Sequence, residues 1–282
     1  MRTPETRDVP EADHYISRSG RSAQAQPDSP FTIEVRFTGG LSERQRAAFT
    51  AAADRWTRIV VGDLPPIEVD GETVDDVLII AEGADIDGRG QVLGQAGPTH
   101  LRPGSAGAAA MLPARGEMTF DSADLAALEA DGSLDDVITH EMGHVLGIGT
   151  LWVQKGLLAG SGTDDPTFTG TGAVAEFATL GGSGDVPVEN TGGPGTAEGH
   201  WRETTFGTEL MSGFIGAAGN PLSRMTAAGL GDLGYDVDPA AAEEYTLPTP
   251  PAAGRPTSVV RPGHRCVVTP PVAVVLPDSA LR

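Results

Sequence analysis

The apolar patterning of this 282-residue chain implies an α+β fold built around a mixed sheet. A period-two run at 31–37 leads straight into a helix-period run. A short, wholly apolar stretch follows at 77–80, and a second amphipathic helix covers 133–146. The order over 31–149 is strand, helix, strand, strand, strand, helix, which is the α+β pattern.

Each element has a local cause. Phe31, Ile33, Val35 and Phe37 alternate with Thr32, Glu34 and Arg36, as in a strand with one buried face. Gly39-Gly40 turns the chain, and Ser42 with Gln45 forms a capping-box pair ahead of a helix over 43–61. Phe49, Ala52, Trp56, Ile59 and Val60 share that helix's buried face. The run Val77-Leu78-Ile79-Ile80 reads as a strand inside a sheet, apolar on both faces. Further strands are expected at 91–96 and 117–120, followed by a short helix to about 129 capped by Asp121 or Ser122. Ser133 is expected to cap the next helix. Asp135 and Asp136 sit in its first turn, where the dipole favours negative charge, and Gly147 and Gly149 end it. The stretch 150–199 is glycine-rich and reads mostly as loop. A last helix is expected from Asn220 to Gly234. Four segments result: a disordered leader at 1–30, an N-terminal half at 31–149, a loop-rich C-terminal half at 150–245, and an extended Pro-rich tail at 246–282.

Composition narrows the function. With 39 acidic against 19 basic residues the formal net charge is -20, which argues against nucleic acid, whose phosphates need a basic surface, and against anionic lipid. No run approaches the ~18 apolar residues of a membrane-spanning helix. The single cysteine, Cys266, leaves no intrachain disulfide and no Cys-rich zinc module.

The chemistry lies in His140-Glu141-Met142-Gly143-His144, an HExxH motif on a capped helix. Residues four apart are separated by ~400° of rotation and about 6 Å of rise, so both imidazoles project from one side. They can share one zinc ion at ~2.0–2.1 Å. Glu141, further round the helix, is placed to act as general base on a metal-bound water. A catalytic zinc needs a third protein ligand. The candidates are His14, His100, His200, His264 and the carboxylate of Glu176. His14 and His264 lie in the leader and the tail, where no rigid site is expected. His100 lies in a Gly/Ala-rich stretch, whereas His200 lies in the denser segment Gly199-His200-Trp201-Arg202-Glu203. Asp85, Asp87, Asp121, Asp124 and the pair Asp164-Asp165 offer oxygen ligands for calcium. Their spacing matches no EF-hand loop, so a solvated acidic face is expected there.

His140-Glu141-x-x-His144-x-x-Gly147 resembles the start of the metzincin signature, in which the glycine turns the chain after the helix. The usual third histidine would stand at Thr150. The leishmanolysin-like metallopeptidases instead carry a long insertion before it, and 55 residues separate His144 from His200 here. The segment from His200-Trp201 to Glu209-Leu210-Met211-Ser212 is similar to that family's third-ligand and Met-turn region. The resemblance implies a metzincin-like zinc-peptidase domain with a mixed twisted sheet, an active-site helix and a loop-rich C-terminal subdomain. It implies His140, His144 and His200 as zinc ligands, Glu141 as catalytic base, and Met211 packed beneath the metal. It also implies a protein or peptide substrate paired along an edge strand within 91–118. Export is implied too, although residues 1–20 are polar and lack a signal peptide's apolar core. The cysteine framework of the eukaryotic members is absent. Two other readings stand beside it: a thermolysin-type peptidase with Glu176 as third ligand, and a zinc-binding adhesion or binding module without peptidase activity.

Overall fold

The computed structural model describes residues 13–20, 30–86, 88, 93–215, 219–248, 264–265 and 272–282. Strand β1 (His14–Arg18) pairs antiparallel with β2 (Thr32–Gly39). Helix α1 (Glu43–Thr57) follows, then the hairpin β3 (Ile67–Val69) and β4 (Glu72–Val74), turned through Asp70-Gly71 at positive φ. Next come β5 (Val77–Ala84), β6 (Gly94–Leu101), β7 (Pro113–Asp121), α2 (Ser122–Asp131) and α3 (Leu134–Val145). The second half holds β8 (Leu158–Ala159), β9 (Thr167–Phe168), α4 (Thr171–Thr179), β10 (Val186–Pro187), α5 (Glu203–Phe206), β11 (Phe214–Ile215) and α6 (Arg224–Leu233). Two short strands, β12 (His264–Arg265) and β13 (Val274–Val275), close the list.

The result is α+β, with a six-stranded mixed sheet in the order β1-β2-β5-β7-β6-β13. Strand β5 lies between β2 and β7 and is parallel to both, which explains its apolar run. Its Val77, Ile79 and Ala81 join the main core with Phe49, Trp56, Val137 and Met142 of α1 and α3. Leu78 faces a smaller cluster with Ile67, Val69, Val74 and Ala114. Strand β6 runs antiparallel to β7, and α3 packs against both. The Ser42–Gln45 capping box forms in both directions, and Asp121 caps α2 through the N–H groups of Ala123 and Asp124.

Several expectations need correction. The leader contains β1, an ordered strand that hydropathy does not reveal because its inward residue is polar. Ser17 Oγ donates to Asp54 at 2.6 Å and lies 2.7 Å from Thr57 Oγ1. The rest of the leader lies outside the described residues. The tail ends in structure: Leu276 N–H bonds Leu101 O, Arg282 N–H bonds Pro66 O (both 2.9 Å), and Ala280 joins the smaller cluster. The Pro-rich stretch before it, other than β12, lies outside the described residues, as do the first residues of the strand expected at 91–96. Within 150–199, α4 interrupts the expected loop. Ser133 does not cap α3 with its side chain, since its hydroxyl donates to Asp131 instead (2.6 Å). The last helix starts at Arg224, capped by Ser223, rather than at Asn220.

Candidate metal centre

Helix α3 is buried along almost its whole length. Its first turn is tied down by Asp136, which accepts from Gly219 N–H, Asn220 N–H and Asn220 Nδ2 and pairs with Arg55 at 3.1 Å. Burial acts to raise the Asp136 pKa, but these donors outweigh it and hold it below the usual carboxylate value. At the other end Gly147 takes φ +111°, Tyr235 OH donates to Leu146 O, and Thr150 Oγ1 donates to His144 O at 2.7 Å. Thr150 thus caps the C-terminal end of the helix.

One close backbone approach brings the distant histidine in. Gly149 has φ +73°, and a Cβ there would lie 2.6 Å from the carbonyl carbon and 2.8 Å from the Cα of Gly199. Only glycine allows this packing, and it sets His200 beside the end of α3. Trp201, the next residue, stacks on Trp152 (centroids 4.7 Å apart) and meets Phe168 edge-on.

The three imidazoles converge. Their Nε2 atoms lie 3.0 Å (His140–His144), 3.1 Å (His144–His200) and 3.2 Å (His140–His200) apart. All three rings are 0–1 % exposed. Each Nδ1 faces a backbone carbonyl: Leu210 O for His140 (2.6 Å), Ile148 O for His144 (2.8 Å) and Thr196 O for His200 (2.8 Å). A carbonyl can only accept, so each Nδ1 carries the proton and each Nε2 presents a lone pair. Burial lowers the His140 pKa to about 3, lowers that of His200 to about 4, and drives His144 well below its usual value. Three neutral imidazoles therefore aim lone pairs at one point, which is electrostatically unfavourable unless a cation sits there. The group can hold a metal ion, and no fourth His, Cys, Asp or Glu joins it among the described residues.

Glu141, 4 % exposed, follows the first of these histidines on α3. Met211 packs beneath: a Cβ on Gly143 would lie 2.8 Å from both Met211 Sδ and Trp56 Cζ2, so the helix exposes bare backbone to these side chains. An open pocket of about 210 Å³ adjoins the group, lined by His144, His200, Gly149, Thr150, Val153 and Glu198 among others.

The remaining candidates are elsewhere. His14 is on β1, His100 is on β6 with its Nδ1 near Thr99 Oγ1, and His264 is on β12. Glu176 on α4 forms a two-pronged ion pair with Arg224 (2.9 and 3.0 Å) and is not part of the group. Asp121 is engaged by backbone N–H groups of Ile86, Gly88 and Ala123, and Asp165 pairs with Arg202. Asp87 lies outside the described residues. A separate acidic group, Asp63, Asp75 and Asp76, went unnoticed in the sequence because no motif links it. Glu209 was missed as well. It is fully buried yet accepts from Met211 N–H, Ser223 N–H and the hydroxyls of Ser223 and Thr226. The chain matches no model of a known protein family, and no curated protein matches it significantly.

Proposed function

We propose that this chain is a zinc metalloendopeptidase with a metzincin-like fold, resembling the leishmanolysin-like group. The observation that carries the reading is the convergence of three Nε2 lone pairs next to a buried glutamate on the same helix. Tetrahedral ligation at ~2.0–2.1 Å separates ligand atoms by about 3.3 Å, within a few tenths of an ångström of the spacing seen. Three protein ligands, rather than four, is the arrangement of a catalytic zinc site. The antiparallel strand β6 beside α3 adds a place for substrate to pair.

When bound, zinc supplies polarisation of the scissile carbonyl and a water acidified towards a pKa of ~7. The carbonyls of Leu210, Ile148 and Thr196 fix each ligand ring in the tautomer that leaves Nε2 free, and such partners tune metal affinity. The Glu141 carboxylate accepts a proton from the attacking water and returns it to the leaving amine nitrogen. The peptide backbone pairs along the outer edge of β6 at 94–99, while β13 covers only His100 and Leu101. Met211 supports the site by packing and takes no part in ligation.

The test compares wild type with Glu141→Ala on an unfolded protein such as casein, both loaded with zinc. Cleavage by wild type that is lost in the variant, with zinc retained, is the expected result. Equal cleavage by both overturns the assignment of Glu141. No cleavage by either, with zinc bound stoichiometrically, moves the reading to a binding module.

A further inference from the structure

We infer that the buried carboxylate of Glu209 is a positioning residue for the metal ligands, holding His140 through the turn at Leu210-Met211. The inference rests on the metal-site reading above, and on no assumption about the substrate.

Glu209 accepts four hydrogen bonds. Oε2 accepts Met211 N–H at 2.6 Å, and Oε1 accepts Ser223 N–H (3.1 Å), Ser223 Oγ–H (2.7 Å) and Thr226 Oγ–H. The hydroxyl directions follow because the carboxylate can only accept. Thr226 Oγ1 accepts Trp201 Nε1–H (2.8 Å) and Ser223 Oγ accepts Thr226 N–H (3.2 Å), while Ser223 Oγ lies much nearer Glu209 (2.7 Å) than Thr226 Oγ1 (3.5 Å). Four donors thus converge on one side chain that is 0 % exposed. An acceptor at both oxygens is required, because a buried donor left without a partner is destabilising.

The connections from Glu209 lead to the metal group by three routes. The adjacent Leu210 carbonyl accepts the Nδ1–H of His140. The next residue, Met211, packs against α3 at Gly143, between the two ligands of that helix. Through Thr226 the same carboxylate reaches Trp201, the neighbour of His200 in the chain, and Trp201 N–H bonds Met211 O at 2.9 Å. One carboxylate therefore fixes the turn that orients one ligand and flanks the residue that follows another.

Glu209→Gln is the discriminating substitution, because it preserves size and changes only acceptor character. Its NH₂ group must face either Met211 N–H or the Ser223 and Thr226 donors, and either choice sets donor against donor. The Leu210 carbonyl then shifts and the His140 ring loses its orientation. The measurement is metal affinity of the folded apoprotein for Zn²⁺ and Co²⁺, by competition with a chromophoric chelator, together with the visible spectrum of the Co²⁺ form. We expect affinity to fall by about 10–100-fold, with a changed Co²⁺ spectrum, while circular dichroism stays native. Thr226→Val serves as a second variant, removing one donor but leaving Met211 N–H bonded, and should lose less than Glu209→Gln. Glu209→Gln that melts earlier but binds both metals as tightly as wild type, with the same spectrum, overturns the inference and leaves a merely structural carboxylate. Wild type that binds neither metal overturns the underlying metal-site reading instead.

Discussion

Gly149 is where a single methyl group has the largest expected effect on the site. Ordinary contact begins near 3.4 Å. A Cβ at Gly149 would meet the Gly199 carbonyl oxygen even more closely than the carbonyl carbon at 2.6 Å, so in Gly149→Ala Gly199 must retreat by more than about 0.8 Å. His200 is the next residue and moves with it. Metal–ligand distances tolerate only ~0.2 Å, so a shift at least four times larger would break the third bond. Loss of a direct ligand should exceed the ~10–100-fold that outer partners cost, and we expect metal affinity to fall by at least about 100-fold. Backbone strain is separated by Gly156→Ala. Gly156 has φ +67° with nothing within 4 Å of the added methyl, so that variant bears only the left-handed cost of ~1–2 kcal/mol. Chelator competition on both folded variants, with melting temperatures alongside, reads the two effects apart. If Gly149→Ala binds metal within threefold of Gly156→Ala, the close approach does not set the position of His200 and the reasoning fails.

His200→Ala should abolish stoichiometric metal binding while Glu176→Gln leaves it unchanged, because Glu176 is taken up by Arg224 outside the group. A reversed result in the same chelator titration would restore Glu176 as a ligand. The metal-free chain should also lose stability in acid. The three ligand histidines are neutral in the fold, with values lowered to about 3 for His140 and about 4 for His200, against ~6.5 when unfolded. Between those limits the unfolded chain binds more protons, so their contribution is complete above ~6.5 and drains as pH falls towards the folded values. From pH 8 to 5.5 the three together should remove about 4 kcal/mol, of which protonation of Asp76, raised by burial to about 7, returns roughly half, leaving a net loss. A chelated sample melting at the same temperature at both pH values would contradict a neutral, buried trio.

What the sequence made legible is what short-range chemistry determines. The Ser42–Gln45 box, the Asp121 cap and the His140–His144 spacing are all interactions within four residues, and all three form as read. What escaped is non-local. Helix α4 has a glycine-rich start with no cap of its own. Asp232 of α6 supplies one, accepting from Gly172 and Ala173 N–H across sixty residues. Strand β1 turns serine inward, so its hydropathy does not alternate, and its anchor Asp54 is on another element. Ser133 had the right residue type for a cap, yet the nearer Asp131 took its hydroxyl. Spacing alone left both His100 and His200 open as third ligand, and the feature that separates them is the contact of Gly149 with Gly199, fifty residues apart.

That contact also explains how His200, 56 positions after His144, is held beside it. Closing so long an excursion is entropically unfavourable, though the cost grows only slowly with length. Here its two ends are sealed by packing. Trp152, just past α3, stacks on Trp201, just past His200, and Phe168 closes the cluster edge-on. Such pairs add about 0.5–1.5 kcal/mol each beyond the area they bury. The Nδ1 carbonyl bonds then set each ring, and the fold absorbs the mutual repulsion of three lone pairs. A metal ion held by the three imidazoles would relieve that repulsion and so stabilise the fold. The three rings are thus fixed from the backbone side, and the pocket beside His144 and His200 stays open.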